Sequence, residues 1–86
     1  MYTVEWKPRA ERAFLALSQP VRDVMELKVN ALARDPRPVG CRKMVGYHDT
    51  YRIRVGDYRV VYEIHDDVLV VLVVAVGPRK SVYRRK

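Results

Sequence analysis

Nine consecutive apolar residues, Val68 to Val76, constrain this chain more than any other feature. Six are valines, which favour the extended pleated backbone of a strand. The run is too short to cross a membrane as a helix. Its continuity reads as a strand buried on both faces, closed by Gly77-Pro78. The chain has 86 residues, enough for one domain spanning 1–86 with one thin core. The strand therefore belongs inside a single sheet, and the other elements must be arranged around it.

The residues before it alternate. In 50–55, Tyr51, Ile53 and Val55 share one face and Arg52 and Arg54 the other. Gly56-Asp57 reads as a tight turn. In 58–65, Tyr58, Val60, Tyr62 and Ile64 face one way, and Arg59, Val61, Glu63 and His65 the other. Asp66-Asp67 reads as a second turn, and Arg42-Lys43-Met44-Val45 as a short strand. At the start, Tyr2, Val4 and Trp6 alternate as a first strand. Pro8 suits the first turn of a helix. Residues 9–17 place Ala10, Ala13, Phe14 and Leu17 on one helical stripe. Ser18 is placed to cap a second helix with Pro20 in its first turn. Val21, Val24, Met25, Val29 and Leu32 form its expected buried face, and Asp35-Pro36-Arg37-Pro38 ends it. The expected fold is α+β: a small antiparallel β-sheet backed by an N-terminal α-helical hairpin, in the order β-α-α-β-β-β. Helices on one face leave the other free for function.

Hydrophobic residues make up 49% and charged residues 31%, which argues for a folded soluble domain over disorder. Cys41 is the single cysteine, so no internal disulfide is available and a reducing cytoplasm is expected. Glu5, Lys7, Arg9, Glu11 and Arg12 interrupt residues 1–17, so neither a secretory leader nor membrane association is expected. The net charge is +7 and unevenly placed. Residues 1–36 hold six basic and five acidic side chains; residues 37–86 hold eleven and five. A partner with many negative charges fits that imbalance.

Arg52, Arg54 and Arg59 sharpen this expectation. Alternation and the tight turn bring all three to one sheet face, where like charges repel unless an anion relieves them. Arginine grips phosphate through its planar fork. A solvated polar face, or an edge charged against aggregation, explains the same pattern, and residues alone leave both readings open. The stretch 76–83 adds a second feature. Gly77-Pro78 turns the chain so that Arg79 lies beside the arginine face, and Tyr83 follows as a residue suited to stacking on a base. No cofactor is expected, since no glycine-rich phosphate loop is present. Nor is a metal: His48, His65 and Cys41 lack ligand spacing, and a carboxylate set of Glu63, Asp66 and Asp67 is explained more simply by a turn. His65 is expected to interact with the Asp66-Asp67 pair.

On the stretches Tyr51-Arg52-Ile53-Arg54-Val55-Gly56-Asp57-Tyr58-Arg59-Val60-Val61-Tyr62 and Val76-Gly77-Pro78-Arg79-Lys80-Ser81-Val82-Tyr83, the chain resembles the RelE/ParE superfamily of type II toxins, closest to RelE-like mRNA interferases. Trp6-Lys7-Pro8, the helical hairpin and the Asp35-Pro36 exit extend the likeness over nearly the whole chain. The resemblance implies a ribosome-dependent endoribonuclease that cleaves mRNA in the A site. It further implies metal-independent attack of the ribose 2′-OH on the adjacent phosphate, leaving a 2′,3′-cyclic phosphate. The implied partners are a cognate antitoxin protein, the ribosome and mRNA, with operator DNA bound by the antitoxin complex.

Residue by residue, Arg52 and Arg54 match two basic strand positions that are lysines in the best-known form. Arg59 matches a phosphate-binding arginine, Arg79 the arginine after the last strand, and Tyr83 a tyrosine that stacks on the substrate base. Lys80, Arg84 and Arg85 extend the RNA-binding set. Arginine keeps its proton far above neutral pH and is a poor general base, which leaves His48 and Glu63 as candidates to take the 2′-OH proton. Two other readings share the fold: a ParE-like toxin that inhibits DNA gyrase and cuts nothing, and an inactive antitoxin-binding module.

Overall fold

The computed structural model describes residues 1–79. Strand β1 (Thr3–Trp6) leads into α1 (Pro8–Leu15) and α2 (Gln19–Ala31). Then come β2 (Arg42–Lys43), β3 (Thr50–Val55), β4 (Tyr58–His65) and β5 (Val70–Pro78). The five strands form one sheet in the order β1-β5-β4-β3-β2. β2 through β5 pair antiparallel as a meander. β1 adds to the far side of β5 in parallel, with Thr3 opposite Val70 and Trp6 opposite Val73. Among the described residues no helix is long and apolar enough to cross a membrane.

The helices start where the sequence allows. Pro8 occupies the first turn of α1, where its missing N–H costs nothing. Ser18 holds the N-cap position of α2 with extended backbone, but its hydroxyl makes no capping bond. Its carbonyl accepts the amide of Arg22 instead, at 2.9 Å. Met25, Val29 and Leu32 bury against the sheet, with Val21 at the margin. Val24, expected on that face, is exposed. The narrow contact follows positions 21, 25, 29 and 32, and Val24 falls outside this stripe. Trp6 and Phe14 meet with ring centroids 5.0 Å apart and tie α1 to β1.

All the buried apolar side chains of the sheet lie on the helix-covered face: Ile53 and Val55 from β3, Val60, Tyr62 and Ile64 from β4, Val71 and Val73 from β5. The run from Val68 to Val76 is therefore not buried on both faces. β5 has strands on either side, but Leu72 and Val74 are only half-buried and Ala75 is exposed. Both helices pack on one face, and nothing described covers the other. Val68 and Leu69 lie outside the strand, in a turn where Leu69 takes φ +56°. That left-handed conformation disfavours a side chain with a Cβ.

A β-bulge corrects the parity of β5. Tyr62 pairs with Val73 and Val61 with Ala75, so Val74 is an extra residue. Without it, Val73 and Val76 would point to opposite faces. With it, both pack on the core, and Gly77 lies opposite Arg59 on the open face.

A polar clasp holds the segment after α2. Tyr62 donates its buried phenol hydrogen to the Pro36 carbonyl at 2.8 Å. Burial raises this phenol far above its ordinary pKa. Arg37 pairs with Asp66 at 2.9 Å, and its guanidinium lies 5.3 Å from the Tyr51 ring centre. Tyr2 donates to the other oxygen of Asp66. The hydrogen bonds from Arg37 and Tyr2 hold the Asp66 carboxyl below its usual range.

Two outcomes follow. Tyr62→Phe leaves the Pro36 carbonyl without its buried donor and lowers stability by about 1–2 kcal/mol, measured by urea unfolding. Asp66 has a lowered folded pKa, so its contribution is present above its unfolded value near pH 4. It is lost as pH falls through the folded value. Asp66→Asn therefore flattens the acid limb of the stability curve, measured by urea melts across about pH 2–6.

Candidate nucleic-acid interface

The turn between β3 and β4 fixes the site. Gly56 is its first central residue and takes φ +60°, as a type II′ hairpin turn requires. Val55 pairs with Tyr58 across this two-residue loop, so the next pair inward is Arg54 with Arg59. The pair after the next is Arg52 with Val61, and Arg52 also faces Arg42 on its other side. Arg79 is brought in from β5, its amide donating to the Asp57 carbonyl in the same turn at 2.9 Å.

Arg42, Arg52, Arg54, Arg59 and Arg79 thus line one cleft of about 230 Å³, with Gly40 and Ile53 completing the wall. Among the described residues no carboxylate lines it. Arg59 lies deepest, 3% exposed, while Arg42 and Arg54 are exposed at the rim. Cross-strand neighbours of like charge destabilise a sheet, and here Arg54 opposes Arg59 and Arg42 opposes Arg52. An anion in the cleft converts this repulsion into attraction. Five guanidinium groups offer forked donors suited to phosphate oxygens.

The structure therefore brings together Arg52, Arg54, Arg59 and Arg79, all singled out from sequence. Lys80, Tyr83, Arg84 and Arg85 lie outside the described residues. Arg42 was missed, because a two-residue strand shows no period. The available signal was its cross-strand position opposite Arg52.

The two candidate bases lie differently. His48 is exposed in the β2–β3 turn, paired with Asp49 at 2.8 Å, at the end of the sheet remote from the cleft. Glu63 is on the same face as Arg52, one alternation step along β4 from Val61. Its Oε1 lies 2.9 Å from Nε2 of His65. His65 thus pairs with Glu63 rather than with Asp66-Asp67, because residues two apart on a strand share a face. Asp66 is held by Tyr2 and Arg37, so Glu63, Asp66 and Asp67 do not converge as a carboxylate set.

A family model described as the ParE toxin of the type II toxin–antitoxin system parDE matches residues 3–83. The chain belongs to the RelE/ParE superfamily of type II toxins. It is 31% identical to the mRNA interferase toxin RelE of Escherichia coli over 81 residues, covering 92% of this chain and 84% of that protein. To toxin RelG of Mycobacterium tuberculosis it is 33% identical over 88 residues, covering 98% of each. Among solved structures, the intact E. coli RelBE toxin–antitoxin complex contains a chain that superposes with a TM-score of 0.82 at 30% identity. That match covers 91% of this chain and 96% of the other. In this chain the arginine cleft lies at the β3–β4 turn end of the sheet.

The electrostatics of this toxin's cleft have a measurable cost. Arg54→Gln removes one of two facing cations and raises the thermal midpoint, by the equivalent of about 0.2–1 kcal/mol at low salt. The gain shrinks as salt screens the charges, which scanning calorimetry at two ionic strengths measures.

Proposed function

We propose that this type II toxin is an endoribonuclease that cuts mRNA in the ribosomal A site. The observation that carries the reading is the convergence of five arginines in one cleft. Its E. coli relative is an mRNA interferase toxin, which points the same way.

In this reading the 2′-OH oxygen attacks the adjacent phosphorus and the bond from phosphorus to the 5′ oxygen breaks. The products are a 2′,3′-cyclic phosphate and a 5′-OH. Negative charge grows on the phosphoryl oxygens as the pentacoordinate species forms. Arg59, held by its burial, and the rim arginines stabilise that charge without needing to move. In this reading no metal takes part, and the guanidinium groups supply the positive charge. Glu63 is the favoured acceptor of the 2′-OH proton. It lies on the arginine face, along β4 from the cleft, with its Oε1 2.9 Å from Nε2 of His65. The arginines act only through charge. Tyr83 is assigned to stack on a base, turning the ribose so that its 2′-OH lines up with the leaving oxygen.

The partners in this reading are the ribosome, mRNA and a cognate antitoxin, the last because a similar chain is held in the E. coli RelBE toxin–antitoxin complex. The complex with antitoxin is assigned to bind operator DNA, and the toxin to act in the cytoplasm.

The test is primer extension on a reporter mRNA in a translating extract. The parent yields defined cuts within translated codons. Arg79→Ala lowers cutting by about 10²–10³-fold, the loss expected for one donor to a developing oxyanion. Arrested growth on expression with no cuts would favour gyrase inhibition, the reading that the ParE family description keeps open.

A further inference from the structure

The cleft is not the only depression that its arginines border. A larger groove, about 680 Å³, lies between the end of α2, the 38–40 segment and the β2–β3 edge. Leu32 lies in its wall, fully buried, and Val39 stands fully exposed at its lip. Lys28 and Asp35 also line it, and Arg42 and Arg54 line both the groove and the cleft. These two arginines form a ridge between the depressions.

We propose that this groove holds the nucleotide next to the scissile phosphate, and that Asp35 selects a base carrying an exocyclic amino group. The inference rests on the ribonuclease reading above and adds a specificity site to it. Three observations support it. The groove lining carries three cations, Lys28, Arg42 and Arg54, against one carboxylate, so it attracts a polyanion. It shares a wall with the cleft, so a strand with one phosphate among the arginines crosses directly into it. Its apolar surface at Pro38 and Val39 offers a face on which a base can lie, beside guanidinium planes that stack on bases.

Asp35 supplies the selection. Its Oδ1 accepts the Arg37 amide at 3.1 Å, which fixes the carboxylate while leaving it able to accept from a ligand. An ionised carboxylate only accepts hydrogen bonds. Adenine, cytosine and guanine each present an amino donor, whereas uracil presents a carbonyl oxygen at the corresponding edge of cytosine. A uracil carbonyl against Asp35 places two acceptors together.

The test uses the full chain in a translating extract, with reporter mRNAs varied in the base on either side of the cut. The parent cuts about tenfold faster where one flanking position carries an amino-bearing base than where it carries uracil. Asp35→Asn, which keeps the oxygen bonded to Arg37 and adds donors, reduces that preference to about twofold or less. Val39→Glu sets a carboxylate beside the strand and lowers cutting at all sites by about tenfold. Both positions are exposed, and thermal melts matching the parent confirm that each variant is folded. An unchanged base preference in Asp35→Asn, with unchanged cutting in Val39→Glu, overturns the groove assignment alone, provided that Arg79→Ala still lowers cutting as above. Normal cutting by Val39→Glu with escape from antitoxin neutralisation overturns it in favour of a protein-binding groove. Absence of cutting by the parent overturns this inference together with the ribonuclease reading.

Discussion

Successive side chains of a strand point to opposite faces, and this parity ties the core of the toxin to its site. The helices need an apolar face to cover. Ile53 and Val55 of β3 and Val60, Tyr62 and Ile64 of β4 supply it. Once those residues turn inward, Arg52, Arg54 and Arg59 have to turn outward together. A slip of one residue between β3 and β4 would bury arginines under α2 and expose Ile53 and Val60, at a cost no domain of this size could meet. The burial that stabilises the sheet also assembles the cationic face.

That face was legible because the β3–β4 hairpin carries its information locally. Alternation and a Gly-Asp turn are short-range signals, and they place three arginines without knowledge of any other strand. The two helices were legible for the same reason. Features that depend on distant segments were not. The parallel pairing of β1 with β5 leaves no mark in either strand's own pattern. The bulge at Val74 hides inside a run of apolar residues, where a parity change alters no hydrophobic pattern. Val68 and Leu69 looked like strand because their side chains favour it, yet the turn takes them. Arg42 joins the cleft only through its neighbour across the edge.

The bulge deserves weight beyond its one residue. β5 must cover the core near Tyr62 and then deliver Gly77 and Arg79 to the turn end of the sheet. A regular strand would put Val76 on the open face and swap the facing of everything after it. Val74 absorbs that difference, so the residues after the bulge keep both the core contact of Val76 and the approach of Arg79 to Asp57. Local irregularity in the central strand is thus a condition for a regular site at its end.

β5 lies between β1 and β4, yet among the sheet's strands it is the last to be made. Until it emerges, β1 has no partner, and Val71 and Val73 are missing from the middle of the core. The nascent chain can form its helices and the β3–β4 hairpin, but these have little to close against. Arg79 follows that strand directly, so the cationic cleft is completed at the same late moment. Chain order therefore acts as a timer: neither the closed core nor the assembled arginine cleft can exist before β5 and Arg79 have been made.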